Sequence, residues 1–208
     1  MGSAIKKTLR AKEQDRTDIA EKRCEWVEFQ KEVQSNRLVF LDESSAKTNM
    51  TRLRGRSLRG LRCYDTSPCG HWQTITMLSS IRLDGTNECV IIDGAMDKAM
   101  FTEYIAQILS PALHPGDIVV MDNLSSHKSP DVSKHIEACG AHLLYLPPYS
   151  PDLNPIEKMW SKVKQFLRSL KAQTYEALEN AIVQALDAVS ATDAEGWFKS
   201  CGYELSQT

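Results

Sequence analysis

The sequence predicts an α/β fold in which helices flank a mixed sheet of five strands. Two short apolar runs, 38–41 and 118–121, have the length and composition of strands that are buried on both faces. Between them, a stretch of alternating residues and an Asp84-Gly85 turn predict a β-hairpin. Helical segments follow the hairpin and separate the later strands, and this alternation indicates a sheet with helices on its faces.

The remaining elements can be placed in chain order. The hairpin strands are expected at 72–83 and 88–92, because both stretches contain residues that favour strands. Apolar residues at helical spacing predict a helix over 97–109, and proline and glycine residues just beyond it end the helix. Gly140 stops a short helix over 130–139. The elements that complete the chain are a strand over 142–146, helices over 155–170 and 174–190, and an aromatic tail with Trp197, Phe198 and Tyr203 that packs on the core.

The first 36 residues differ in composition from the rest of the chain. They are polar and rich in Lys, Arg and Glu, and a helix is expected near 18–33 with Ile19 and Trp26 among its few apolar contacts. This pattern is typical of a partly helical linker or arm that lies outside the core. We therefore divide the chain into an N-terminal arm, 1–36, and a globular domain, 37–208.

The composition is that of a soluble globular protein. The chain has 208 residues, of which 42% are hydrophobic and 25% charged, and this length allows one domain with a substantial core. No run of about 18 apolar residues predicts a membrane-spanning helix, and the charged N-terminus lacks a secretory signal. The six cysteines form no C-x-x-C pair and indicate reduced thiols in an intracellular protein. The spacing of Cys63, Cys69 and His71 fits no common zinc module.

Basic residues are concentrated in two blocks. The net charge of −2 by itself argues weakly against a nucleic-acid partner. Each block is free of acidic residues, however, and such local clusters form surfaces that bind phosphates. The alternative is a solvated loop and a solvated helix face. The first block contains Lys47, Arg52, Arg54, Arg56, Arg59 and Arg62, and the second contains Lys158, Lys162, Lys164, Arg168 and Lys171.

Two of the predicted strands end in an aspartate. Asp42 follows the run 38–41, and Asp122 follows the run 118–121. Ligand sites in α/β sheets lie beyond the carboxyl ends of the strands, so neighbouring strands would bring the two carboxylates together. Carboxylate oxygens suit hard cations such as Mg²⁺, and two such ions about 3.5–4 Å apart promote phosphoryl transfer. An aspartate at a strand end can also be an ordinary turn residue.

Glu157 is the best candidate for a third carboxylate. Asn154 and Pro155 predict the start of a helix, which places Glu157 in its first turn. Lys164 and Arg168 share the face of Glu157, and apolar residues occupy the opposite face. This pattern is expected of a metal ligand that lies beside a row of basic residues that bind phosphates. A capping role for Glu157 and a solvated basic face are the structural alternatives.

Three motifs carry a resemblance to a known family. They are FLDES at 40–44, VMDNLSSHK at 120–128 and LPPYSPDLNPIE at 146–157, with 34 residues between Asp122 and Glu157. Their order and spacing resemble those of the D-D-E transposases of bacterial insertion sequences related to the mariner superfamily. The resemblance extends over residues 4–204. Ser44 stands where the family more often has threonine, so the hydroxyl group is kept.

The resemblance implies an RNase H-like fold for 37–208, with Asp42, Asp122 and Glu157 as a catalytic triad that binds two Mg²⁺ or Mn²⁺ ions. It implies cleavage at transposon ends and strand transfer into target DNA at TA. The implied partners are transposon-end and target DNA, a second copy of the chain in a homodimer on DNA, and a separate N-terminal helix-turn-helix region. The implied location is the bacterial cytoplasm, in association with the nucleoid. DNA contacts are expected from Lys47, Arg52, Arg54, Arg56, Arg59, Arg62, Lys164 and Arg168, and from His127 and Lys128 in the second motif.

Two other functions stay open from the sequence. Another nuclease on the same scaffold, such as a resolvase or an RNA–DNA hybrid ribonuclease, would carry similar carboxylates. The long proline-rich motif before Glu157 argues against it. An inactive or domesticated descendant that only binds DNA or a protein partner is the second alternative, and the intact set of three carboxylates argues against that one.

Overall fold

Five strands form one sheet in the computed structural model, which describes residues 10–52, 54–68, 71–123 and 129–205. The strand order is β3-β2-β1-β4-β5. The strands are β1 Leu38–Lys47, β2 Thr74–Ile81, β3 Cys89–Asp93, β4 Ile118–Met121 and β5 His142–Tyr145. The helices are α1 Thr17–Glu32, α2 Lys98–Tyr104, α3 Ser110–Ala112, α4 Pro130–Ala138, α5 Pro155–Leu170, α6 Tyr175–Asp187 and α7 Ala191–Ser200.

The sheet is mixed, as the sequence predicts. β1 lies at its centre and pairs antiparallel with β2 and parallel with β4. The strands β2 and β3 form the predicted antiparallel hairpin, and β5 adds to β4 in parallel. Gly85 in the hairpin turn has a φ of 87°, and a Cβ there would come within 2.9 Å of the Ser190 backbone, so the turn requires glycine. The predicted fold class, a mixed five-stranded sheet flanked by helices, is confirmed.

Side chains on the two faces of the sheet pack into separate hydrophobic clusters. Phe40 of β1 and Val120 of β4 pack on one face with α5, α6 and α7. Val39 and Val119 pack on the other face with α2 and α4. Because successive side chains of a strand point to opposite faces, the even-numbered residues of β1 belong to the α5 face.

The first strand is longer than the sequence predicts. The apolar run predicts an end at Leu41, but β1 continues to Lys47 because β2 pairs along it as far as Thr74. Asp42 therefore lies within β1 and not at its end. The strand β4 does end at Met121, directly before Asp122.

Two helical regions differ from the prediction. The helix expected over 97–109 is continuous but irregular, because α2 passes through a π-helical turn, Ile105–Leu109, into α3. After residue 190 the sequence predicts only an aromatic tail, whereas the structure forms α7 there. A capping box between Ser190 and Asp193 begins this helix. The predicted packing of Phe198 on the core is confirmed.

The N-terminal arm packs on the globular domain, whereas the sequence predicts a segment outside the core. Ile19 and Trp26 of α1 are buried, and Trp26 belongs to the cluster on the α5 face. Trp26 Nε1 donates to the Tyr203 hydroxyl at 3.0 Å, and Gln30 Nε2 donates to the Cys201 carbonyl at 2.8 Å. Polar contacts with the C-terminal segment thus hold a helix that has few apolar residues of its own.

The segment between β1 and β2 contains the first basic block. Its described residues, 48–52, 54–68 and 71–73, form no helix or strand, so β2 begins two residues after the expected position 72. Lys171 Nζ at the end of α5 donates to the Asp65 carboxylate and ties the segment to that helix. Over the described ranges, no helix is both long enough and apolar enough to cross a membrane.

Candidate active site

The parallel register of β1 and β4 places Asp42 beside Asp122. Phe40 is paired with Val120, and each aspartate lies two residues further along its own chain. Alternation along the strands therefore directs both carboxylates to the face of Phe40 and Val120, which is the α5 face. Neighbouring strands lie about 4.8 Å apart, so the two half-buried aspartates are close neighbours.

The helix α5 brings Glu157 to the same face. It begins at Pro155, so Glu157 lies in the first turn, where its side chain is exposed. Ile156 and Trp160 on the other side of the helix are buried in the cluster beneath it. The amphipathic pattern of α5 therefore fixes the direction in which Glu157 points.

Asn154 precedes α5 but does not cap it in the predicted way. Its carbonyl accepts from the Glu157 N–H at 3.3 Å, yet its side chain accepts no capping bond. Asn154 is 4% exposed, and its Oδ1 meets no hydrogen-bond partner in the described part of the chain. A buried acceptor in that state costs about 1–3 kcal/mol. The first turn of α5 is therefore held by Pro155 and by the preceding loop.

Asp42, Asp122 and Glu157 line one cavity of about 420 Å³. A water molecule takes up about 30 Å³ in the liquid, so the cavity is large enough for two cations and a phosphate group. Its other wall is the loop between β5 and α5, residues 146–154, which we call the active-site loop. The structure thus brings the three predicted carboxylates to a single opening.

The donor chemistry of this cavity fits divalent cations. Its three carboxylates offer only oxygen atoms, which Mg²⁺ and Mn²⁺ accept as ligands. No three His, Cys, Asp or Glu side chains among the described residues are close enough together to hold one ion. The fit to cations therefore rests on the type of donor and on the volume of the cavity.

The N-terminal arm contacts the active-site loop through hydrogen bonds of Gln14 and Arg23. Tyr149 has a φ of 58°, a left-handed conformation that costs a non-glycine residue about 1–2 kcal/mol. Its carbonyl accepts from Gln14 Nε2 at 2.6 Å. Arg23 donates to Ser150 Oγ at 2.6 Å and to the two carboxylate oxygens of Asp152 at 3.0 and 2.6 Å.

The charge state of Asp152 strengthens this contact. Burial would raise the pKa of the Asp152 carboxyl, but the hydrogen bonds and the charge of Arg23 outweigh it and hold the pKa below its ordinary value. Asp152 is therefore ionised at neutral pH, and its paired bonds to Arg23 are charge-assisted. The Tyr203 hydroxyl adds a further contact to the loop, because it donates to the Leu153 carbonyl at 2.8 Å.

Gln14 and Arg23 contact the cavity wall although the sequence does not single them out. The position of Arg23 on the docking face of α1 could in part have been predicted from helical spacing. Ile19, Arg23, Trp26 and Gln30 recur at i, i+4, i+7 and i+11, which places them on one face of α1. A helix face that mixes apolar and polar side chains in this way indicates docking on a partly polar surface.

None of the described residues that are predicted to contact DNA lines the cavity. The Lys47 ammonium is 5.7 Å from the centre of the Trp72 ring, Lys164 and Arg168 are half-buried on α5, and the arginines of the first block are exposed. Lys162 is bound to Asp193. The predicted contacts His127 and Lys128 lie outside the described residues. The exposed arginines of the first block are Arg52, Arg54, Arg56, Arg59 and Arg62.

A family model of known proteins matches most of the chain. Residues 37–179 match the DDE superfamily endonuclease family. The transposable element Tc1 transposase of Caenorhabditis elegans is 34% identical over 74 residues, which are 36% of this chain and 27% of that protein. The matched segment is therefore little more than a quarter of the nematode relative.

Solved structures of the Mos1 transposase share the fold. A Mos1 paired-end complex with the left transposon end has a TM-score of 0.77 at 17% sequence identity and is matched over 97% of this chain and 64% of its own. A Mos1 mariner paired-end complex with Mn has a TM-score of 0.75 at 18% identity, over the same shares of both chains. The likeness confirms the predicted RNase H-like fold, and the chain spans less than two thirds of the Mos1 chain.

The family match begins one residue before β1 and ends within α6. It therefore includes all five strands, the active-site loop and α5, which together position the three carboxylates. On the match to residues 37–179, this chain belongs to the DDE superfamily endonucleases and is homologous to the Tc1/mariner transposases.

Proposed function

We propose that this chain is the catalytic domain of a DNA transposase, which cleaves phosphodiester bonds at transposon ends and joins those ends to target DNA. The observation that carries the proposal is the single cavity lined by Asp42, Asp122 and Glu157. Membership of an endonuclease family supports the cleavage step. The names of the relatives, Tc1 transposase and the Mos1 complex with a transposon end, support the substrate.

The three carboxylates are the proposed catalytic residues, and they would hold two Mg²⁺ or Mn²⁺ ions. Such ions, when bound, activate an attacking oxygen and stabilise the leaving oxygen of an in-line displacement. The protein supplies fixed negative oxygens from β1, from the end of β4 and from the start of α5. The strand register sets the first two carboxylates, and the buried face of α5 sets Glu157.

The basic blocks are proposed to contact DNA phosphates. Such contacts position a duplex and make its binding dependent on salt, but they do not read its sequence. The exposure of the arginines in the first block supports this role. The proposed contacts are Lys47, Arg52, Arg54, Arg56, Arg59, Arg62, Lys164 and Arg168, and the sequence motif adds His127 and Lys128.

The source of the chain, its target sequence and its location are proposed from the sequence motifs. We propose a bacterial insertion sequence related to the mariner superfamily as the source, TA as the target, and the nucleoid as the location. The relatives named above include a nematode protein, so the bacterial source has only the motifs as support. We also propose a homodimer on DNA, a separate helix-turn-helix region, and a division of the chain into an arm, 1–36, and a catalytic domain, 37–208.

The test is a nicking assay on a supercoiled plasmid that carries a transposon end, with each ion added after chelation. We expect nicking with Mg²⁺ or Mn²⁺. We expect DNA binding without nicking in Ca²⁺, because Ca²⁺ prefers longer bonds and looser coordination. Nicking that persists in chelator, or that requires Zn²⁺ alone, would contradict the carboxylate site.

Substitutions test the three carboxylates one by one. Asp42→Asn, Asp122→Asn and Glu157→Gln should each lower nicking roughly 100-fold or more, because each removes a charged ligand of the proposed cations. Glu43→Gln is the matched control, since Glu43 is the next residue of β1 and does not line the cavity. Near-normal nicking by one variant removes that residue from the triad. Joining of the cut end to a second DNA separates a transposase from another nuclease.

A further inference from the structure

The active-site loop forms a wall of the cavity and leads directly into α5, so its position sets the position of Glu157. Its regular structure is limited to the 3-10 turn Pro151–Leu153. It also contains the left-handed residue Tyr149. A strained backbone of this kind persists only where the surrounding structure fixes it. The loop therefore depends on contacts from outside itself.

Gln14 supplies one of these contacts. It is 9% exposed, and its Nε2 donates to the carbonyl of Tyr149, the residue with the strained backbone. A buried amide that bonds a main-chain carbonyl fixes the orientation of that peptide. Loss of the bond would leave both groups without this partner in a place that water reaches poorly.

Arg23 supplies the second contact, which is made to residues that follow Tyr149 in the chain. Its side chain is 21% exposed, and its two terminal nitrogens bind both oxygens of Asp152. The planar fork of arginine fixes a carboxylate in direction as well as in distance. The same guanidinium bonds Ser150 Oγ, which donates onward to the Pro148 carbonyl at 3.1 Å.

We propose that Gln14 and Arg23 are positioning residues for the active site, which act through the active-site loop to hold Glu157 at the cavity. The inference rests on the proposed function, because it takes Glu157 to be a cation-binding residue. Asp152 is five residues before Glu157, and the α5 helix begins between them. A shift of the loop would therefore move the first turn of α5, and a displacement of about 1 Å can lower a rate about 100-fold.

The test uses the full chain with Arg23→Gln, Gln14→Ala and Asp152→Asn. Arg16→Gln is the matched control, because Arg16 precedes the same helix and forms an ion pair with Asp18 in which both side chains are more than half exposed. Four quantities are measured: the turnover for nicking of supercoiled plasmid DNA, the KM for that DNA, the affinity for Mn²⁺ without DNA, and hydrogen exchange over 147–157 without DNA or metal.

Arg23→Gln should lower the turnover about 10- to 100-fold, with the KM for DNA changed by no more than about twofold. It should also weaken Mn²⁺ binding and speed exchange over 147–157. Gln14→Ala should act in the same direction. The double variant of Arg23→Gln and Asp152→Asn should be no worse than Arg23→Gln alone, because Arg23→Gln already removes the contact with Asp152. Arg16→Gln should leave all four quantities unchanged.

Several results would overturn the inference. Faster exchange over 147–157 with unchanged turnover and Mn²⁺ affinity would show a contact that is structural only. An equal effect of Arg16→Gln would show that any change in the arm suffices. If Arg23→Gln does not fold, Asp152→Asn decides, because that side chain is 54% exposed and its loss spares the core. Failure of the unaltered chain to nick DNA and to bind Mn²⁺ is a different outcome, which refutes the proposed function.

Discussion

The hydroxyl of Tyr203 joins the arm to the active-site loop, so its removal tests how strongly the two are held together. It accepts from Trp26 Nε1 of α1 at 3.0 Å and donates to the Leu153 carbonyl at 2.8 Å. Tyr203 is 1% exposed. Burial raises the pKa of its hydroxyl far above the ordinary value, so the group remains a donor at neutral pH.

Tyr203→Phe removes only this oxygen and leaves the ring that packs on Phe40. The change leaves the Trp26 N–H and the Leu153 carbonyl without this partner inside the core. Each such group costs about 1–3 kcal/mol, and partial relaxation reduces their sum. We expect the free energy of unfolding to fall by roughly 2–4 kcal/mol. For a chain of this size, the melting temperature should fall by roughly 4–16 °C.

The loss can be measured by urea denaturation followed by far-UV circular dichroism, with the dependence on urea compared between variants. Tyr64→Phe is the matched control, because Tyr64 is 84% exposed and its loss should change the free energy of unfolding by less than about 0.5 kcal/mol. A loss for Tyr203→Phe no larger than that of the control would refute the argument. So would a changed dependence on urea, since the unfolded state would then have changed as well.

Two further predictions concern stability. Asn154→Ala should not lower the free energy of unfolding, since the Asn154 side chain caps nothing and its buried Oδ1 has no partner in the described part of the chain. Ser190→Ala removes a capping bond and should lower the free energy of unfolding by about 1 kcal/mol; equal losses in urea would contradict this contrast. Arg82→Met should cost about 3 kcal/mol, because it leaves the 6%-exposed carboxylate of Asp117 without its partner at 2.6 Å. Burial raises the pKa of Asp117, but Arg82 outweighs it and the folded pKa lies below the ordinary 3.8. The ion pair therefore stabilises the fold fully above pH 3.8, and this stabilisation is lost as the pH falls through the lower folded pKa. The loss of stability caused by Arg82→Met should accordingly shrink below pH 3.8. A loss that stays constant in acid would count against the pair.

Elements with a strong local pattern could be predicted from the sequence. The helix α5 occupies the predicted range because its apolar residues repeat at helical spacing and Pro155 marks its start. The end of β1 could not be predicted in this way. Residues 42–47 are mostly polar, and they form a strand because β2 pairs along them. The hydrogen bonds that decide this come from a segment that is distant in sequence.

The arm and α7 were harder to predict for related physical reasons. The segment 191–200 contains Gly196 and few strong apolar positions, so its pattern is weak, and only the capping pair of Ser190 and Asp193 marks the start of a helix. The docking of α1 depends on polar bonds to residues more than a hundred positions away, such as that of Arg23 to Asp152. Periodicity reports which face of a helix is apolar, and it contains no information about such partners.

The location of the candidate active site follows from the topology of the sheet. From β1 the chain builds β2 and β3 on one side and then crosses to build β4 and β5 on the other. The boundary between β1 and β4 is therefore a switch point, where α/β sheets form crevices for ligands. The strand β4 ends at Met121, whereas β1 continues along β2 to Lys47, and the cavity opens where β4 ends. A slip of one residue between β1 and β4 would turn Asp122 to the opposite face, away from Glu157. Three backbone pairs, from Leu38–Ile118 to Phe40–Val120, thus determine that two aspartates from distant parts of the sequence share one cavity.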